Sequence, residues 1–99
     1  DRGSLVKCRI LGVLDFVDDD EIDYKVIAVP HWSPKSRYSR LSSIEEEHLK
    51  IYKQFFRIYK IDRVSTVKVG DWKNGKKAIS VVTDAHSRWL KRQNDNRKK

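Results

Sequence analysis

The stretch from Asp15 to Lys25, DFVDDDEIDYK, running straight into VIAVP, limits what this chain can fold into more than any other part of it. Six of the 14 acidic residues lie between Asp15 and Asp23, and no Lys or Arg interrupts them. Carboxylates packed this closely repel one another and resist ionisation unless cations neutralise them. The apolar runs on both sides mark an ordered segment, not a floppy acidic tail. A divalent metal is the obvious neutralising cation.

The flanks read as strands. From Leu5 to Val17 the side chains alternate, placing Val6, Cys8, Ile10, Leu14 and Phe16 on one face and Lys7 and Arg9 on the other, with a bend expected at Gly12. After an acidic loop from Asp18 to Asp23 comes Tyr24 to Val29, short, β-branched and closed by Pro30. Side chains two apart on an extended chain share a face, so Asp23 and Lys25 are expected to project together, a carboxylate for a metal beside an ammonium for an anion. Outside residues 15–23 eight acids face all 22 bases. Such a basic background attracts anions, and it suits a phosphate substrate bound with metal as well as a nucleic-acid surface.

The rest of the chain predicts a loop over residues 30–43, a helix over 45–60 capped by Ser42 or Ser43, and a strand from Val64 to Val69. The helix is amphipathic, with Leu49, Tyr52, Phe56 and Tyr59 in one stripe and Ile51, Phe55 and Ile58 beside it. Gly70 to Gly75 reads as a turn with Asn74 as a cap, followed by a final helix whose inner face is Ala78, Val82, Ala85 and Trp89. The chain of 99 residues divides into one domain, 1–89, and a basic tail, 90–99, expected to fray. The lone Cys8 forms no internal disulfide, and no apolar run reaches bilayer-spanning length, which points to a soluble, reducing compartment, the cytoplasm or an organelle matrix. Beginning at Asp and containing no Met, the sequence is expected to be a piece of something longer.

Several motifs compete for meaning. A calcium hand fails, because it wants Gly at its sixth position and Glu at its twelfth, and counting from Asp15, Asp18, Asp19 or Asp20 puts Val26, Val29, Pro30 or His31 at the twelfth. Magnesium fits better: it keeps several waters and takes oxygens from one or two carboxylates and from substrate phosphates. The plain alternative is a solvated acidic turn. GDWKNGKK nearly matches a phosphate-cradling loop, yet Lys77 stands where a hydroxyl should be and Trp72 is bulky, so it reads as a turn. His31, His48 and His86 lack metal-ligand spacing. Tyr59 and Lys60, at the end of the long helix, read by pattern as a core Tyr and a Lys complementing the helix C-terminus. The final RWLKRQNDNRKK could touch nucleic acid or simply be solvated.

Taken together, GSLVKCRILGVL, DDDEIDYKVIAVP, FFRIYK and VGDWKNGKKAI resemble, in order and spacing, the C-terminal half of the soluble, family I inorganic pyrophosphatases. The resemblance implies an α+β fold, part of a small closed, OB-like β-barrel with two flanking helices. It implies hydrolysis of diphosphate to two phosphates with Mg²⁺ as cofactor, in a homo-oligomer without a membrane partner. It further implies that Asp18 and Asp23 bind metal, that Lys25, Tyr59 and Lys60 bind phosphate, and that Asp19 sits near the metal in place of a Glu. No catalytic acid or base is assigned. The family's D-x-D-P-x-D signature lies upstream of the region matching Asp1, so a missing N-terminal half or another chain is expected to complete the barrel, and the isolated piece is expected to be inactive. The alternative is a pyrophosphatase-like remnant acting as a structural or interaction subunit of a larger complex, one that could contain RNA.

Overall fold

The computed structural model describes residues 3–35, 38–58 and 66–97. In order they form β1 (Cys8–Asp18), β2 (Glu21–Ile22), β3 (Lys25–Pro30), a 3₁₀ turn (Leu41–Ser43), α1 (Glu46–Ile58), β4 (Val67–Lys73) and α2 (Gly75–Arg97). The α+β class is as expected. β1 is the central strand: it pairs antiparallel with β3 from Cys8↔Pro30 to Leu14↔Lys25 and, on its other flank, with β4 from Val13↔Lys73 to Asp18↔Val67. β2 continues the β3 flank through Val17↔Ile22 and Asp18↔Glu21.

That central place decides what β1 buries. Leu11, Val13, Leu14 and Phe16 are all essentially inaccessible, whereas Val6 and Cys8 are exposed. The strict alternation read from the sequence therefore fails at the N-terminal end and in the middle, and holds from Leu14 to Phe16. A strand covered on both faces buries consecutive residues, and the pairing slips between Ile10 and Gly12 against β3 and between Leu14 and Phe16 against β4. The expected bend at Gly12 coincides with the first slip, where a Cβ would lie 2.7 Å from both the Lys73 carbonyl oxygen and Leu41 Cδ1. Leu11, Val29 and Ile44 form a core cluster against which Ile27, Tyr38, Leu41 and Leu49 pack.

Three expectations change. Gly70 to Lys73 belongs to β4 and is not a turn: the alternating VKVGDWK pairs with β1, and Gly70 permits an approach in which a Cβ would meet Asp15 Cβ at 2.9 Å. The turn shrinks to Asn74, whose capping role holds, since Lys77 N–H donates to Asn74 Oδ1 at 3.1 Å. Ser42 and Ser43 lie in the 3₁₀ turn and do not cap α1; the Glu45 carbonyl accepts the first helical bonds, from the N–H groups of His48 and Leu49. Finally, residues 90–97, set apart as a tail, continue α2 as helix. No Gly or Pro follows Gly75, and the Lys, Arg, Gln and Leu of this stretch are good helix formers.

The helices attach unequally. α1 turns Leu49 and Phe56 inward, and Phe56 meets Phe16 edge to face at 5.8 Å between ring centroids. Trp72 of β4 anchors it, donating from Nε1 to the Leu49 carbonyl at 3.1 Å. α2 buries Ala78 alone; Val82, Ala85 and Trp89, expected on an inner face, are exposed. Among the described residues the sheet is open, with no second partner strand for the outer edges of β3 and β4, so a closed barrel is not seen.

Candidate functional site: the end of the central strand

β1 and β2 meet in a two-residue turn, Asp19 and Asp20, both in the left-handed region at φ 50° and 66°. A hairpin this tight requires positive φ at both central positions, and Asp tolerates it better than most side chains. Asp19 bonds Thr66 twice: its N–H donates to the Thr66 carbonyl at 2.8 Å, and its Oδ1 accepts from the Thr66 N–H at 2.6 Å. These two bonds tie the acidic turn to the entry of β4. Asp19, expected near a metal, bonds the Thr66 backbone through its N–H and Oδ1.

Asp23 is fixed by its N–H, which donates to the Phe16 carbonyl at 2.8 Å where the chain passes from β2 to β3. Its Oδ2 pairs with Lys25 Nζ at 2.7 Å, so the two residues project together as their spacing predicts. The Lys25 ammonium also lies over the Phe16 ring, 4.8 Å from its centroid, and 5.6 Å from that of Phe56. Phe16 and Asp18 are two apart on β1 with no slip between them, pairing with Val69 and Val67, and therefore share a face. Asp18, Asp23 and Lys25 thus gather on one side of the sheet. Oδ1 of Asp18 is shielded from solvent. Tyr59 and Lys60 lie outside the described residues.

Two carboxylates on one face fit a hard divalent cation that completes its shell with water and phosphate oxygens. Among the described residues no three His, Cys, Asp or Glu converge on one point, so these residues can form only part of a metal shell. Asp15 turns elsewhere, 4.0 Å from Lys73 Nζ, and Asp20 and Glu21 are exposed. The histidines stay apart: His31 Nδ1 is 3.2 Å from the Lys7 carbonyl, His48 sits 4.0 Å from Glu45, and His86 stacks on Trp89. Sequence reading missed Phe16 and Phe56 as neighbours of Lys25 and Thr66 as the partner of Asp19. Nothing local signals them, because the partners come from distant segments.

The fold and this cluster define an α+β domain that collects carboxylates and an ammonium at the end of its central strand. Comparison places it further. The family profile described as inorganic pyrophosphatase matches residues 1–90, and the chain belongs to that family. It is 32% identical over 92 residues to an inorganic pyrophosphatase of Neisseria meningitidis serogroup B, covering 90% of this chain and 52% of the relative. Against that of Campylobacter jejuni the identity is 34% over 87 residues, covering 84% and 51%. Among solved structures, the Helicobacter pylori enzyme superposes with a TM-score of 0.81 at 31% identity, covering 91% of this chain and 55% of that one. A Trypanosoma brucei vacuolar soluble pyrophosphatase in the apo form also reaches 0.81, at 26% identity, over 98% of this chain and 27% of its own. The chain spans about half the length of the curated relatives it matches.

Proposed function

We propose that this chain supplies part of the metal and phosphate shell of an Mg²⁺-dependent enzyme that hydrolyses inorganic diphosphate to two phosphates. The observation carrying this reading is the Asp23–Lys25 pair at 2.7 Å on the face that also holds Asp18. In this reading Asp18 and Asp23 hold Mg²⁺, which when bound polarises a water and neutralises phosphate charge. Lys25 offers a point charge to a phosphate oxygen. Tyr59 and Lys60 add a phenol and a second ammonium, and Asp19 keeps the turn in register. The excess of bases elsewhere on the chain raises the local concentration of a polyanionic substrate.

Another polypeptide segment completes the site and closes the sheet into a barrel, as a separate half or a second chain. Among the described residues the outer edges of β3 and β4 pair with no strand, and Val26 and Ile22 are exposed, which supports this, since such edges and apolar side chains are seldom left uncovered. The assembled enzyme is read as a homo-oligomer of the cytoplasm or an organelle matrix, in keeping with the free thiol of Cys8. No helix among the described residues is long and apolar enough to cross a membrane.

Diphosphate hydrolysis by the intact assembly with Mg²⁺ tests this. Asp23→Asn should lower kcat/KM by about a hundredfold, corresponding to about 2.7 kcal/mol of transition-state stabilisation. An unchanged rate removes the reading. One observation favours a second reading, an interaction subunit that binds RNA: α2 exposes Arg88, Lys91 and Arg92 beside the stacked His86 and Trp89. Absent hydrolysis, together with RNA affinity that falls steeply with added salt, would select it.

A further inference from the structure

We propose that Phe16 and Phe56 are positioning residues that hold the Lys25 ammonium in place for a phosphate group, an inference that rests on Lys25 being a phosphate ligand. A lysine ends in a compact charge on a flexible four-carbon stem, and left alone that charge samples many positions. Here three elements restrain it. Lys25 comes from β3, Phe16 from the buried middle of β1 and Phe56 from the inner face of α1. The ammonium lies 4.8 Å and 5.6 Å from the two ring centroids, both within the range in which an aromatic face attracts a cation. The rings brace one another, 5.8 Å apart with their planes at 67°. Phe16 is 1% exposed and has no room to turn away.

The chemistry of this clamp differs from that of the ion pair beside it. Asp23 neutralises Lys25, and once its carboxylate also serves a divalent cation it has less negative charge to offer the ammonium. The rings attract through their quadrupoles and carry no net charge, so they fix the ammonium while leaving its positive charge available. Lys25 is 22% exposed, enough for one further partner to reach it. The arrangement therefore keeps an anion-binding charge in place without cancelling it, at the point where Asp23 and an incoming phosphate both need it.

The test uses the intact assembly carrying this chain, with lysines labelled at Cε and magnesium diphosphate as the probe. In the wild type the Lys25 CεH₂ protons should resonate upfield of the other lysines, because the Nζ they adjoin lies over the Phe16 and Phe56 rings. Phe56→Leu should move that resonance back among the rest and raise KM about tenfold while kcat stays within about twofold, and Phe56→Tyr should restore both. A merely structural role would lower thermal stability without that split between KM and kcat. The clamp is overturned by an ordinary Lys25 resonance in the wild type, a measurement that stands even where Phe56→Leu does not fold. It is equally overturned by Phe56→Leu shifting the resonance while leaving KM unchanged. A wild-type assembly that turns over no diphosphate would instead overturn the proposed function, and the clamp's role with it.

Discussion

Gly12→Ala should destabilise the chain more than any other single added methyl group at its glycines, and the reason is space. The backbone at Gly12 is not in the left-handed region, yet a Cβ there would lie 2.7 Å from Leu41 Cδ1 and 2.7 Å from the Lys73 carbonyl oxygen. Comfortable contacts between carbon atoms begin near ~3.5 Å, so the overlap with Leu41 Cδ1 is close to ~0.8 Å, and that with the smaller Lys73 oxygen is somewhat less. Leu41 can rotate its terminal methyl aside. The Lys73 oxygen cannot move without disturbing the Val13↔Lys73 pairing that opens the β1–β4 ladder. The cost should therefore sit near the upper end of overpacking, about 3 kcal/mol. Loss of glycine's freedom in the unfolded chain returns about 0.4–1 kcal/mol, which leaves a net loss of about 2 kcal/mol. For a chain of this size that is a fall in Tm of roughly 10 °C. Gly75→Ala is the control. Its Cβ would lie 3.3 Å from the Leu11 carbonyl oxygen, and it stands in the first turn of α2, where a gain of up to about 1 kcal/mol in helix propensity offsets the tight contact. Urea unfolding followed by far-UV circular dichroism compares the two. Equal losses, or a Gly12→Ala variant within ~0.5 kcal/mol of wild type, would refute the geometric argument.

Asn74→Ala should cost about 1 kcal/mol by removing the acceptor for the Lys77 N–H, and Asn74→Asp should keep most of it, as thermal unfolding would show. Asp19→Asn should preserve both the bond to the Thr66 N–H and the rate of diphosphate hydrolysis. Asp19→Ala should lose about 1–2 kcal/mol of stability, read from urea midpoints. A large fall in rate with unchanged stability in Asp19→Asn would return that carboxylate to the metal.

Much of the architecture was legible in the residues because it is local. An alternating run, a β-branched run closed by Pro30, an amphipathic stripe and Asn74 before a helix each report on a few neighbouring positions, and the matching elements are present. The projection of Asp23 and Lys25 to one side followed from two-residue spacing, and the ion pair is there. Where the reading of β4 failed, a distant partner had intervened. Gly70 to Lys73 looks like a turn from its Gly, Asp and Lys, but β1 lies beside it and draws it into the sheet.

Local patterns in the residues account for the α+β class, the acidic junction between strands, and the carboxylate and ammonium directed together at that junction. Contacts between distant segments bury β1 on both sides, bring Asp19 to a residue 47 positions away, and close rings from β1 and α1 over Lys25. The physical reason is range. Backbone period and residue spacing act over a few positions, whereas which strand lies beside which, and what then covers a side chain, depends on contacts between segments that no local pattern encodes.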